Sequence, residues 1–173
     1  MLNASKYSAT ERLRDGRSIE IRALRPEDQA DLIAAVGHIS AQSMYRRFFG
    51  AKRYFSDKEV DFFVNVDFTN HVALIALVQD GSRSVVIAGG RYILQRPGVA
   101  EVAFAVVDEY QGHGIGTALL RHLATIARSG GLTEFTAEVL PDNTAMLKVF
   151  EKSGLKPIVK RGIDATHVTL QLS

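Results

Sequence analysis

VAEVAFAVVDEYQGHGIGTALLRHLATIAR, residues 99–128, is the stretch on which the fold turns. Its first part, Val99 to Val107, is an apolar run rich in β-branched residues, which predicts a strand. The glycine turn Gln111-Gly112-His113-Gly114-Ile115-Gly116 follows. Leu119, Leu120, Leu123 and Ile126 then recur at helical spacing, so one face of an amphipathic helix is apolar. A strand feeding a glycine turn at a helix start is built to hold an anion. The first N–H groups of the helix have no internal acceptor, and its dipole adds partial positive charge at the same place. Glycines let a phosphate approach those groups closely.

Spacing separates the motifs that compete for this turn. A dinucleotide fingerprint needs G-x-G-x-x-G or G-x-G-x-x-A. Counted from Gly112 the last position is Thr117, and counted from Gly114 it is Leu119, so both registers fail. A P-loop needs Gly-Lys-Ser/Thr, and no lysine lies between Lys58 and Lys148. Gln-x-x-Gly-x-Gly does fit, at Gln111, Gly114 and Gly116. Preceded by EVAFAVVDEY and followed by Asn143 and Phe150-Glu151-Lys152-Ser153-Gly154, the stretch resembles the acetyl-CoA pyrophosphate loop of the GNAT N-acetyltransferases.

The rest of the composition bounds the reading. A chain of 173 residues suits one domain with a real core. Its formal net charge of +2 is too small to argue for nucleic acid or an anionic membrane as partner. With no cysteine, disulfides, thiolate-bound metal and a cysteine acyl-enzyme are excluded. The five histidines have no metal-ligand spacing, so no metal is expected. No apolar run approaches the roughly 18 residues of a membrane span, and the polar N-terminus lacks the apolar core of a signal peptide; the expected setting is the cytoplasm.

In chain order, residues 1–10 read as a polar tail and 11–173 as a single domain. Asp15-Gly16 signals a hairpin whose second arm alternates Ile19, Ile21 and Ala23 with polar residues. Pro26 opens a helix with Leu32, Ile33, Val36 and Ile39 as its apolar face. A short helix is expected over 41–48, and Ser56 with Glu59 forms a capping box for another. Runs at 72–79 and 84–94 read as central strands. A strand at 133–140, a helix at 144–152 capped by Asp142 or Asn143, and strands at 158–160 and 166–172 complete the chain. Strand, helix, strand across 99–140 gives a right-handed parallel crossover. The expected class is mixed α/β: a twisted sheet of about six to seven strands flanked by helices, as the GNAT resemblance also implies.

Within that family the chain is similar to the catalytic domain of bacterial Pat-type protein-lysine acetyltransferases. The carrying residues are LRDGR (13–17), Ile21-Arg22, Arg25-Pro26-Glu27-Asp28, Tyr45-Arg46-Arg47-Phe48-Phe49, Ala88 to Tyr92 and Glu101 to Gly116. The resemblance implies that Gln111, Gly112, His113, Gly114, Ile115 and Gly116 bind pyrophosphate. It implies that the backbone of Val106 and Val107 pairs with the pantetheine arm at a splayed strand end, and that Asn143 contacts the same arm. Asn143 as a plain helix cap would look the same.

Acetylating an amine requires a neutral nucleophile, and a lysine amine with pKa near ~10.4 arrives charged. A base must accept its proton, directly or through water. Glu101 is the candidate: it lies in a run of Val, Ala and Phe, on the strand face shared with Ala103 and Ala105. Partial burial is expected to strengthen it as a base. The alternative is a structural glutamate paired with Arg91. Where the family usually has a thiolate-protonating tyrosine, this chain has Phe150, which donates no proton; Tyr110 and Tyr92 are the alternatives. Arg46, Arg47, Lys52 and Arg53 among aromatics read either as a loop for an acidic surface or as amphipathic packing.

The expected activity is direct acetyl transfer from acetyl-CoA to a primary amine, either a protein lysine or a small molecule. The competing class is a non-catalytic acyl-CoA-binding or sensing module. The oligomeric state is not legible.

Overall fold

The computed structural model describes residues 2–40 and 55–172. The strands are β1 (Ser8–Arg12), β2 (Ser18–Ala23), β3 (His71–Asp80), β4 (Arg83–Arg96), β5 (Val99–Val106), β6 (Glu134–Val139), β7 (Pro157–Arg161) and β8 (Thr166–Gln171). The helices are α1 (Gln29–Val36), α2 (Asp57–Val64), α3 (Ile115–Ser129) and α4 (Thr144–Glu151). All eight strands form one sheet in the order β1-β2-β3-β4-β5-β6-β8-β7. Every pairing is antiparallel except β5 with β6, the expected crossover. The sheet thus has one strand more than the upper expectation, and β1 supplies it.

Residues 2–10, expected as part of a tail, accordingly join the fold. Residues Ala4–Lys6 form a 3-10 turn, and β1 pairs with β2 from Ser8↔Arg22 to Arg12↔Ser18. Ala4 is buried, and the Leu2 N–H donates to Ser129 Oγ at 3.0 Å. The Tyr7 hydroxyl bonds His122 Nδ1, and His122 Nε2 lies 2.7 Å from Glu11 Oε1. These ties run to α3, more than a hundred residues away in the chain, so no local pattern announces them.

The hairpin at Asp15-Gly16 forms as expected: Gly16 takes φ 92, and the Leu13 N–H donates to the Arg17 carbonyl at 2.7 Å. The capping box of α2 also forms, with Ser56 and Glu59 bonding each other's backbone N–H. Of the expected apolar face of α1, Leu32 and Val36 are half-buried and the following Ile39 is buried, but Ile33 is not covered. Ala35 is buried while Ile33 is 49% exposed. The 41–48 helix and the basic-aromatic cluster at 45–54 lie outside the described residues.

Helices α3 and α4 pack on one face of the sheet, and α1 and α2 on the other. Helix α3 buries Leu119, Leu120 and Leu123 completely, each worth about 1.5–3 kcal/mol relative to exposure. The Phe104 ring, with Leu123 of α3 behind it, explains Gly90 in β4. Gly90 stands opposite Phe104, and a Cβ there would lie 2.8 Å from the Phe104 ring. Beyond β5 the α1/α2 face is uncovered by any described helix, so Glu138, Lys160 and Gln171 are exposed. No helix among the described residues is long and apolar enough to cross a membrane.

Candidate active site

Strands β5 and β6 pair only at Val99↔Glu134, Ala100↔Phe135 and Glu101↔Thr136. Past that point they diverge. The slot between them widens into a cavity of about 500 Å³. One wall is Val102 to Val106, the other Ala137 to Val139, and both offer strand backbone no longer engaged in the β5–β6 ladder. Phe104, Met146 and Phe150 make the slot apolar.

The mouth of the slot is the start of α3. Gly114 caps the helix in the left-handed region (φ 85, ψ 8), and Gly112 has φ 81; neither has an atom within 4 Å of where a Cβ would stand. Gly116 does something else. A Cβ there would approach Val149 Cγ2 at 3.3 Å, so this glycine lets α4 close on α3. Among the described residues, the N–H groups from Gly112 to Thr117 have no protein acceptor. Such a fan of donors at a helix N-terminus fits a diphosphate. The Gln111 side chain donates from Nε2 to the Val106 carbonyl at 3.0 Å, which ties the loop to the end of β5.

The cavity therefore gathers Val106, Gln111, Gly112, Gly114, Ile115, Gly116 and Asn143. Asn143 caps α4, its Oδ1 accepting from Met146 N at 3.2 Å, while it also lines the cavity. His113 does not line it; it is half-buried and close enough to Asp15 to help hold that carboxylate below its usual range. Val107 is turned away. Its side chain is buried in the α1 cluster on the opposite face, and its N–H is spent on the Ile87 carbonyl at 2.9 Å. The strands part at Glu101 and Thr136, five residues before Val106, because the ladder ends there.

Glu101 lies at the closed end of the slot, on the face of Ala103 and Ala105, but outside the cavity lining. It is exposed, not half-buried, because no described helix covers that part of the sheet. Around it are Glu134, Thr136, His167 and Thr169, with Arg96 3.9 Å from Glu134. Among the described residues Glu101 forms no ion pair. The register places Arg91 opposite Ala103, and Arg91 donates to the Phe63 carbonyl at 3.0 Å and meets His71 Nε2 at 2.9 Å.

Phe150 is 2% exposed and packs edge-on against Phe104, with centroids 6.5 Å apart. Tyr92 is core, with burial pushing its phenol up to about 12, and it does not line the cavity, so it is no proton donor to the slot. Tyr110 lines the cavity beneath the Arg17 guanidinium, which lies 5.0 Å from its ring centroid. Sequence reasoning passed over Arg14, Thr117, Lys148 and Lys152, which also line the cavity. The LRDGR turn was the one signal for Arg14. No group of three His, Asp or Glu residues among those described is placed to hold a metal.

A mixed sheet splayed at one parallel pair, with a helix start of unpartnered N–H groups at the mouth of the splay, has the form of an acyl-CoA-dependent transferase. Residues 39–155 match the Acetyltransferase (GNAT) family, and the chain belongs to that family. It is 31% identical over 144 residues to acetyltransferase Pat of Mycolicibacterium smegmatis, an alignment covering 82% of this chain but 42% of that protein. It is 30% identical over 154 residues to an acetyltransferase of Pseudomonas aeruginosa, with 83% of each chain covered. The solved GNAT domain of S. lividans PAT superposes with a TM-score of 0.86 at 34% identity, covering 95% of this chain and 96% of that one. The acyl donor of the family is acetyl-CoA.

Proposed function

We propose that this chain transfers the acetyl group of acetyl-CoA directly to a primary amine, with a lysine side chain of another protein as acceptor. The observation that carries this reading is the splayed slot, closed at Glu101 and Thr136 and opening onto unpartnered N–H groups at the start of α3. Acetyl-CoA supplies an activated thioester carbonyl and a thiol leaving group.

The residues of the chain divide the remaining work. The α3 N-terminus, with Gly112 and Gly114, holds the diphosphate. Val106 and Asn143 orient the arm in the slot. Glu101 accepts the ammonium proton, directly or through one water, so that the amine nitrogen can attack the thioester carbon. The C–N bond forms, the C–S bond breaks, and the second nitrogen proton passes through water to the departing sulfur, since Phe150 offers none. The alternative of a structural Glu101–Arg91 pair loses support from Arg91 being engaged at His71 and Phe63.

Openness favours a protein lysine over a small amine. Glu101 is exposed on a sheet face that no described helix covers, and a folded partner could present a lysine there. A free small amine would gain little where the described residues form no enclosing walls. The test is CoA release from acetyl-CoA with lysine-containing proteins, lysine peptides and free amines, for the wild type and Glu101→Gln. Turnover on protein or peptide lysine that is lost in Glu101→Gln supports the reading. Turnover on free amines alone moves the acceptor to small molecules. Tight acetyl-CoA binding without turnover on any amine means a sensing module.

A further inference from the structure

Coenzyme A carries a diphosphate and, separately, a 3′-phosphate on its ribose. The α3 N-terminus answers the first. Nothing in Gln111 to Gly116 answers the second, because the loop has no lysine or arginine and His113 does not line the cavity. The β1–β2 hairpin brings a cation to that place. Arg14 lines the cavity together with Gln111, Gly112 and Gly114, although it is nearly a hundred residues away in sequence.

The hairpin is fastened to the loop. Leu13 is buried beneath it. Asp15 Oδ2 lies 2.7 Å from Arg17 Nη2, and Asp15 Oδ1 accepts the Arg17 N–H at 3.0 Å. The Arg17 guanidinium, so oriented, stacks on Tyr110, the residue just before Gln111. The His113 ring adds a smaller electrostatic pull on Asp15. Asp15 is thus committed to Arg17, whereas Arg14 forms no hydrogen bond or ion pair among the described residues. A guanidinium without a carboxylate, held at the mouth of a site for a phosphate-bearing ligand, is a phosphate receptor; its planar fork matches two phosphate oxygens. Lys148 on α4 and Lys152 just after it also line the cavity, from a different element than the hairpin.

We infer that Arg14 binds the 3′-phosphate of the cosubstrate and sets selectivity for CoA over 3′-dephospho-CoA, with Arg17 and Asp15 positioning the hairpin that carries it. This rests on the acyl-CoA reading of the cavity. Titration calorimetry of the full chain with CoA and with 3′-dephospho-CoA tests it, for the wild type, Arg14→Ala and Arg14→Lys. The wild type should prefer CoA by roughly 10- to 100-fold, the worth of a charge-assisted contact. Arg14→Ala should lose that preference through weaker CoA binding alone, and Arg14→Lys should restore part of it. Raised salt should shrink the preference in the wild type. Equal weakening of both ligands, or no change in either, overturns the assignment. A wild type that binds neither ligand overturns the acyl-CoA reading itself, while one that binds both equally overturns only the role of Arg14.

Discussion

Glu101 and Thr136 are the last residues at which β5 and β6 pair, so the candidate base stands where the slot closes. A carboxylate at that vertex, exposed on the open sheet face, can meet an acceptor that never enters the cosubstrate channel. Glu101→Gln keeps the shape and removes the base. The acetylation rate should fall by about 10²- to 10⁴-fold, with acetyl-CoA affinity in calorimetry nearly unchanged. The deficit should narrow as pH rises toward the pKa of the amine, because the acceptor then arrives neutral. A fully active variant at pH 7 would send the search to another carboxylate or to water.

Gly114→Asp should abolish acetyl-CoA binding. The position needs φ 85, which an L-residue adopts at a cost, and the new carboxylate would face the diphosphate. Gly114→Ala separates the two effects, since it carries the backbone cost alone and should bind more weakly than the wild type but better than the aspartate variant. Equal affinities for both variants in calorimetry would refute the electrostatic part.

Gly116 predicts a different phenotype. Gly116→Ala places a Cβ 3.3 Å from Val149 Cγ2, so α4 must shift by a few tenths of an ångström. The loss should be one of stability, about 1–3 kcal/mol, as for other overpacked sites. Adding Val149→Ala should recover part of it, because the clashing methyl is gone. Additive losses in a double-mutant cycle on thermal unfolding would show that the two residues do not couple.

Phe150→Tyr tests the missing proton donor. The ring is 2% exposed against Phe104 but borders the slot, so a hydroxyl can extend into it. The variant should fold and release CoA at a rate near or above that of the wild type. Phe150→Ala should instead cost about 3–5 kcal/mol through the cavity it leaves. A large rate loss in a stable Phe150→Tyr enzyme would mean that the ring shapes the thiol end of the slot.

His71 gives the fold a pH dependence. Its burial, and then the charge of Arg91, lower its pKa from 6.5 to about 4. The unfolded chain therefore takes up this proton first as pH falls. Its stabilising contribution is complete above about 6.5 and is lost between there and about 4, for roughly 1–3 kcal/mol in all. The Asp28 and Asp67 pKa values are lowered from 3.8, so their contributions disappear only at more acid pH. Melting temperature against pH should thus decline across the histidine window. In His71→Gln, which can still accept from Arg91, that slope should flatten; an unchanged slope would assign it elsewhere.

Local chemistry made much of this legible in the sequence. The Asp15-Gly16 hairpin, the Ser56–Glu59 capping box, the Asn143 cap and the strand-turn-helix at 99–128 each depend on residues within a few positions of one another. Backbone dihedrals, caps and apolar periodicity are short-range properties, so they can be read without the fold. What only the tertiary structure decided is where distant segments meet. Register put Arg91 opposite Ala103, not Glu101, and left Glu101 exposed at the vertex of the slot. The end of β5 turned Val107 into the α1 cluster, away from the cavity. Hydrogen bonds from Leu2 and Tyr7 to α3 drew the N-terminus into the sheet, and the β1–β2 hairpin carried Arg14 to the mouth of the site. These outcomes depend on which strands pair, at which residue a pairing stops, and which side chains meet across more than a hundred positions; a polar decapeptide or a lone arginine in a turn carries no trace of them until the sheet has formed.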